Sequence, residues 1–248
     1  MTHRKTIAVI PARYASTRFP GKVLADLCGK PMIQHVWEKA MASKADEVLI
    51  ATDDEKVVEA VTGFGGKAVM TSPDHPSGTD RIFEAISGTD AEIIINVQGD
   101  EPLIPVEVID QLIDKMQDNP ELEMGTVAVP RPRDDIENDP NRVKAVFADN
   151  GMALYFSRSM VPYLRDGGKD TTVYLHWGIY AYRRDILQRF VELPEGRLEQ
   201  CEKLEQLRAL ENGIGIFVLT SNLENIGVDT PEDLEQAASR LRQYNKEV

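Results

Sequence analysis

Cysteine is nearly missing from this chain: Cys28 and Cys201 are the only two in 248 residues. They lie far apart and neither belongs to a Cys-x-x-Cys pair, which excludes a disulfide framework and the usual zinc spacings and suits a reducing compartment. Histidine is also sparse, with four, and His3, His35 and His75 share no metal-ligand spacing. Positive charge is short too. Lys and Arg number 28 against 41 Asp and Glu, a formal net charge of -13. That balance argues against a broad nucleic-acid or anionic-membrane face, because phosphate surfaces demand a basic one. Any anionic ligand must then be small and met locally. No apolar run approaches the roughly 20 residues that cross a bilayer. Met1 to Lys5 sets positive charge ahead of an apolar run, as a secretory leader does, but the run stops at Arg13 with no cleavage pattern behind it. The expected location is cytoplasmic. What the chain does have, 42% hydrophobic and 28% charged residues, is ordinary for a soluble globular protein. Its length fits one large domain with room for a subdomain better than two equal domains.

Periodicity orders the chain. Thr6-Ile7-Ala8-Val9-Ile10 is too short for a helix and rich in β-branched residues, a buried first strand. Pro31 at the first helical position opens a helix across Gly29 to Ala40. Glu47 to Thr52 is a second strand, Thr52-Asp53-Asp54 caps a helix over Glu55 to Phe64 that Gly65-Gly66 ends, and Ala68 to Thr71 is a third strand. This β-loop-α-β-α-β order argues for a mostly parallel sheet with helices on both faces. Ser77-Gly78-Thr79-Asp80 caps a helix over Arg81 to Ser87. Glu92 to Val97 is the most strand-like run, Val106 to Gln117 is helical, and Gly125 to Val129 returns to strand. Pro130 to Arg142, rich in Pro, Asp, Asn and Arg, reads as a surface excursion. Val143 to Phe147, Ala153 to Phe156 and Trp177 to Tyr182 are strands without intervening helices, an antiparallel insert, and Arg165 to Asp170 is a polar loop. A helix over Leu198 to Glu211, a strand over Gly215 to Leu219 and a helix over Pro231 to Tyr244 close the chain.

The stretch Pro11-Ala12-Arg13-Tyr14-Ala15-Ser16-Thr17-Arg18-Phe19-Pro20-Gly21-Lys22 leaves the carboxyl end of the first strand, where open α/β sheets bind ligands. It holds Arg13, Arg18 and Lys22 and no acid, a local positive pocket suited to an anion. Pro11, Pro20 and Gly21 shape its backbone so that amides can approach phosphate oxygens. It is not a Walker A loop, since Val23 rather than Ser or Thr follows Lys22; a merely solvated basic loop is the alternative. Asp100 follows the most buried-looking strand, behind Gly99, in a place that suits either a ligand-facing carboxylate or a turn cap. Asp229 is surplus to the helix start that Thr230-Pro231-Glu232-Asp233 already provides. Two carboxylates and a triphosphate satisfy Mg²⁺, which takes few protein ligands and keeps water and phosphate oxygens.

In His176-Trp177-Gly178-Ile179-Tyr180, period-two alternation puts His176, Gly178 and Tyr180 on one face. Two hydrogen-bonding side chains then flank a position with none, which leaves room for a polar ligand or marks a His and a Tyr half buried in a sheet. Arg158 suits bidentate pairing with a carboxylate. Glu205 and Gln206 diverge by about 100° if they share a helix, and by themselves read as a solvated face.

Several segments taken together resemble one family. They are Ile10 to Lys22, Asp74-His75-Pro76-Ser77-Gly78-Thr79-Asp80-Arg81, Asn96-Val97-Gln98-Gly99-Asp100-Glu101-Pro102, Ala153 to Arg158, His176 to Tyr180, Leu204-Glu205-Gln206-Leu207-Arg208 and Gly227 to Leu234. In this order they are similar to the 3-deoxy-manno-octulosonate (Kdo) cytidylyltransferases, the CMP-Kdo synthetases. The loop alone is shared more loosely with other nucleotidyltransferases; the set is specific. Val23 stands where the family often has Pro, Phe19 where Leu is common, and the loop at Gly167-Gly168 is short.

The resemblance implies a three-layer α/β/α nucleotidyltransferase fold with a mostly parallel central sheet and a small antiparallel insert. One domain would span 1–248, with residues about 130–200 as a sugar-binding and dimerisation subdomain of a homodimer. It implies transfer of CMP from CTP to Kdo with Mg²⁺, giving CMP-Kdo and pyrophosphate for lipopolysaccharide synthesis. Arg13 and Lys22 would hold CTP phosphates beside Pro11, Ala12, Arg18, Ser77 and Gly78. Arg81 and Gln98 would define the nucleotide pocket. Asp100 and Asp229 would bind Mg²⁺; Arg158, His176, Tyr180, Glu205 and Gln206 would contact the sugar acid, with Gln98 shared. The competing readings are a cytidylyltransferase for an amino-octulosonic or sialic acid, and a silent nucleotide-binding protein on the same fold.

Overall fold

The computed structural model describes residues 3–15, 19–136, 139–165 and 172–247. Arg18 and all of the Arg165 to Asp170 loop after Arg165 lie outside the described residues. Strand β1 (Thr6–Ala12) buries every residue but Pro11. After it a 3₁₀ turn, Lys22–Leu24, is entered through Gly21 at φ 72, a left-handed conformation that costs glycine nothing. The small hairpin β2 (Asp26–Leu27) and β3 (Lys30–Pro31) precedes α1 (Met32–Met41). Pro31 sits at the cap rather than inside the helix; as the last residue of β3 it keeps extended geometry, so the helix starts one residue later than expected. Strand β4 (Glu47–Thr52), helix α2 (Glu55–Gly63) and strand β5 (Ala68–Met70) follow. Asp54 caps α2 by accepting from the Lys56 amide at 2.8 Å.

Helix α3 (Gly78–Ala85) starts three residues before Arg81 because Ser77 alone is the cap. Strand β6 (Ile93–Asn96) and helix α4 (Val106–Asp118) come next, then β7 (Met124–Pro132), β8 (Lys144–Phe147), β9 (Ala153–Ser157) and β10 (Thr172–Arg183). Helix α5 (Arg184–Glu192) is one that periodicity missed. In place of one helix over Leu198 to Glu211 there are two, α6 (Arg197–Glu202) and α7 (Gln206–Glu211), parted by Lys203 at φ 52. Strand β11 (Ile216–Thr220) and helix α8 (Pro231–Glu247) end the chain.

These elements form two compact units, Met1–Ile113 with Glu224–Val248, and Asp114–Leu223. In the first, β6, β1, β4 and β5 lie side by side and every pairing is parallel. Their residues Ile7 to Ile10, Leu49 to Ala51 and Ile93 to Ile95 are at most 1% exposed, the double-sided burial of a parallel sheet. The chain runs outward from β1 through β4 to β5 and then returns to β1's other side as β6. The order therefore reverses between β1 and β6, which is where such sheets leave a crevice at their carboxyl ends. Gly99, just past β6, is needed there: a Cβ would stand 2.8 Å from the Pro11 carbonyl oxygen. The last helix closes on the same unit through Leu27, Met32, Val228 and Ala237, flanked by Leu103, Leu234 and Leu241.

In the second unit β11 runs parallel to β7, while β7, β10, β8 and β9 pair antiparallel in that order. The expected surface excursion begins later than Pro130, since β7 continues through Pro130 and Pro132. Ala128 turns its carbonyl to the Ser221 amide at 3.0 Å. Residues 130 and 132 share that orientation, and β11 ends opposite Ala128, so these prolines lack an N–H only where no strand needs one.

Candidate active site

The crevice of the first unit is a cavity of about 470 Å³ lined by the ends of β1 and β6, the start of α3 and the segment ahead of α8. Pro11, Arg13, Lys22, Ser77, Gly78, Gln98, Asp100 and Asp229 all line it, so eight residues singled out in four stretches of sequence meet in one place. Its size is that of an ordinary small-ligand site.

Lys22 is at its centre and only 8% exposed. Its ammonium donates to Asp100 Oδ2 at 2.8 Å, to the Val228 carbonyl at 2.8 Å and to Asp229 Oδ1 at 3.3 Å. An ammonium has three hydrogens, so all are engaged. The left-handed turn at Gly21 aims Lys22 inward, and the Val228 amide donates to the Asp100 carbonyl at 2.8 Å. That bond ties the loop before α8 to the end of β6. The capping role falls to Asp233, whose Oδ2 accepts from the amides of Asp229 and Thr230. The Asp229 carboxylate is thereby left for Lys22.

Two carboxylates and a carbonyl converging on one positive charge form an oxygen donor set suited to a hard cation. Among the described residues no group of three or more His, Cys, Asp or Glu side chains could hold a metal. Asp100 and Asp229, both within reach of the one ammonium, are a carboxylate pair of the kind that suits an ion such as Mg²⁺, which completes its shell with water and phosphate. Glu101 stands behind them with a buried Oε2 that has no partner among the described residues. Burial, then the charges of Asp100 and Asp229, push its carboxyl up to about 8. That shift favours its uncharged form, which adds no further repulsion.

Arg13 donates to the His75 carbonyl, and His75 in turn meets Glu84. This clasps the loop before α3 against the basic loop. Ser77 Oγ accepts from the amides of Thr79 and Asp80 at 3.1 and 3.2 Å, leaving the first turn of α3, with its partial positive charge, on the cavity wall. Arg81 stands elsewhere. It is wholly buried, with its guanidinium on Thr71 Oγ1 at 2.5 Å and Asp53 Oδ2 at 2.6 Å, behind the cavity rather than on its lining. Ala12 is likewise sealed in the sheet, and Arg18 falls outside the described residues. The Val228 carbonyl had no sequence signal, since any residue type supplies one.

The second unit gathers the other group. His176 and Tyr180 share a face with ring centroids 5.4 Å apart, and Phe156 meets His176 edge-on at 5.0 Å. Between them β10 bulges: Trp177 pairs with Val127 and Tyr180 with Thr126, so Gly178 and Ile179 have no partner on β7. The two extra residues preserve alternation. Burial lowers His176 to about 3. Tyr180 is raised well above its ordinary value by burial, then by Tyr182 and the negative charge of Glu205.

Arg158 is drawn into the protein. Its Nε donates to the Glu202 carbonyl at 2.6 Å, and its two terminal nitrogens to Pro140 at 2.9 Å and Lys203 at 3.2 Å. Among the described residues these bonds engage three of its five guanidinium hydrogens. Glu202 returns the grip, accepting from Ser157 Oγ at 2.7 Å and the Arg158 amide at 2.9 Å. This clasp holds the break at Lys203. Glu205 consequently sits at the start of α7 rather than in mid-helix, and Gln206 is 5% exposed with a buried Nε2 that has no partner among the described residues. The reading of this pair as a solvated face does not hold for Gln206.

A family model described as cytidylyltransferase matches residues 7–224. The 3-deoxy-manno-octulosonate cytidylyltransferase of Thermodesulfovibrio yellowstonii is 53% identical across 97% of this chain and 99% of its own. Its namesake from Geobacter sulfurreducens is 51% identical across 95% and 98%. A solved structure of CMP:2-keto-3-deoxy-manno-octonic acid synthetase complexed with CTP superposes with a TM-score of 0.93 at 46% identity, covering 97% of this chain and 99% of that one.

Proposed function

This chain belongs to the 3-deoxy-manno-octulosonate cytidylyltransferase family, and on that premise we propose how its residues carry out the transfer of CMP from CTP to Kdo. The products are CMP-Kdo and pyrophosphate. The observation that carries the reading is the Lys22 ammonium gripped by Asp100 and Asp229 in a cavity that Arg13 and the first turn of α3 also line.

Joining a sugar acid to a triphosphate brings negative charge to negative charge, so positioning and neutralisation must do most of the catalysis. Arg13 and Lys22 provide fixed positive charge for the phosphates, beside the amides of Ser77 and Gly78. Lys22 has no N–H to spare in this state, so gripping a phosphate requires it to release one of its three partners. Mg²⁺ held by Asp100 and Asp229 would polarise the reacting phosphoryl group and favour ionisation of the attacking hydroxyl. Gln98 lines the cavity and donates to Asn96 Oδ1 at 3.0 Å, keeping its carbonyl end available to nucleotide or sugar. Arg81 acts from behind by holding Asp53.

In the second unit Arg158, His176, Tyr180, Glu205 and Gln206 recognise the sugar acid. The Gln206 Nε2, unmet among the described residues, calls for an acceptor, and the planar guanidinium of Arg158 suits a carboxylate. A cytoplasmic homodimer, with a subdomain at about residues 130–200 supplying the sugar site and the dimer contact, and a role in lipopolysaccharide synthesis belong to the same proposal. Pyrophosphate release should be measured with CTP and a panel of 2-keto sugar acids, with and without Mg²⁺. Turnover confined to Kdo and dependent on the metal is expected. Preference for an amino-substituted or sialic-type acid, or no release at all, would refute it.

A further inference from the structure

Thr126 of β7, a residue that the proposed chemistry leaves unused, faces the bulge of β10. It is wholly buried. Its Oγ1 lies 2.8 Å from the Ile179 carbonyl, 3.2 Å from the Trp177 carbonyl and 2.9 Å from His176 Nε2. A hydroxyl has one hydrogen, and carbonyl oxygens can only accept. If that hydrogen pointed at His176, two carbonyl oxygens would face a third oxygen at hydrogen-bond distance with no proton between them. The hydroxyl therefore donates to the carbonyls of the bulge, and its lone pair accepts from His176.

We propose that Thr126 is a positioning residue that fixes the hydrogen of His176 on Nε2, so that Nδ1 is a bare acceptor and recognises a hydroxyl of the sugar acid rather than its carboxylate. Among the described residues Nδ1 meets no hydrogen-bond partner. Burial, which keeps the ring neutral at neutral pH, leaves it a single N–H, and Thr126 takes that one. A bare imidazole nitrogen repels a carboxylate oxygen and welcomes an O–H. The unmet amide hydrogen of Gln206 offers the opposite polarity. A donor and an acceptor in one unit suit a ligand rich in hydroxyls. This inference rests on the sugar acid being the acceptor substrate, yet the tautomer is readable without any substrate.

Two measurements test it. Long-range ¹H–¹⁵N correlation spectra of the ligand-free, ¹⁵N-histidine-labelled protein at pH 7.5, with His176 assigned by its loss in His176→Gln, should show the Nε2–H tautomer. An Nδ1–H pattern or an imidazolium would overturn the proposal. In steady-state kinetics Thr126→Val should raise the KM for Kdo roughly tenfold, about the worth of one neutral hydrogen bond. The KM for CTP should stay within about twofold, and Thr126→Ser should restore both the tautomer and the KM. An unchanged KM for Kdo in Thr126→Val would equally overturn the role. Failure to turn over Kdo at all would count against the proposed function, and the spectrum of the wild-type protein would still decide the tautomer.

Discussion

Acid should weaken this fold through His176 in a defined window. The imidazole is lowered from its ordinary 6.5 to about 3 by burial, so the folded state keeps it neutral where the unfolded chain takes up a proton. The stability tied to the neutral ring is complete above 6.5 and is lost as the pH falls toward 3. Across that interval the unfolded state binds the extra proton, and one group contributes about 1.4 kcal/mol per pH unit. At pH 5 the loss is about 2 kcal/mol, a sizeable part of the 5–15 kcal/mol typical of a domain. His176→Gln removes the titration while retaining a donor toward Thr126 Oγ1. Urea unfolding of both proteins at pH 7.5, 6 and 5 should show the wild-type advantage shrinking stepwise on acidification. An advantage that stays constant over the three pH values would refute the reasoning, whatever the absolute stabilities.

Two other substitutions probe local geometry. Gly99→Ala places a Cβ against the Pro11 carbonyl oxygen at 2.8 Å; it should cost about 1–3 kcal/mol and raise the KM for CTP, and a neutral outcome in thermal unfolding and kinetics would show that the strand ends are not held so closely. Lys203→Gly relieves a non-glycine residue at φ 52 and should stabilise by about 1 kcal/mol, a rise of roughly 2–4 °C in Tm; a drop would mean that the surface pair of Lys203 with Glu195 outweighs the backbone term.

Much of the first unit was legible because its rules are local. β-Branched runs form its strands, Asp54 and Ser77 cap helices from the positions their residue types favour, and the alternation of strands and helices implies a parallel sheet. Asp229 was readable as surplus because Thr230 and Asp233 already complete a cap. The second unit hid more, since its irregularities are tertiary. Leu198 to Glu211 has helical spacing throughout, yet the guanidinium of Arg158 grips the carbonyls of Glu202 and Lys203 and holds a break between α6 and α7 that no local residue announces. Pro130 and Pro132 look like loop residues until β11 is seen to end before them. Arg81 resembles a ligand residue by motif, but its buried place off the cavity lining is set by Asp53 and Thr71 in other segments. Thr126 carries no signal of its own, because its role depends on a bulge in the facing strand.

Lys22 offers the most direct test of the whole account. Pyrophosphate release from CTP and Kdo at saturating Mg²⁺ should be compared for the wild-type protein, Lys22→Ala and Asp100→Asn, with circular dichroism as the check on folding. Loss of preorganised charge at a phosphoryl centre commonly costs on the order of 3 kcal/mol or more of barrier. Both variants should therefore turn over at least a hundredfold more slowly while keeping the wild-type spectrum. Turnover within a few-fold of wild type in either folded variant would contradict the claim that this charged cluster performs the transfer.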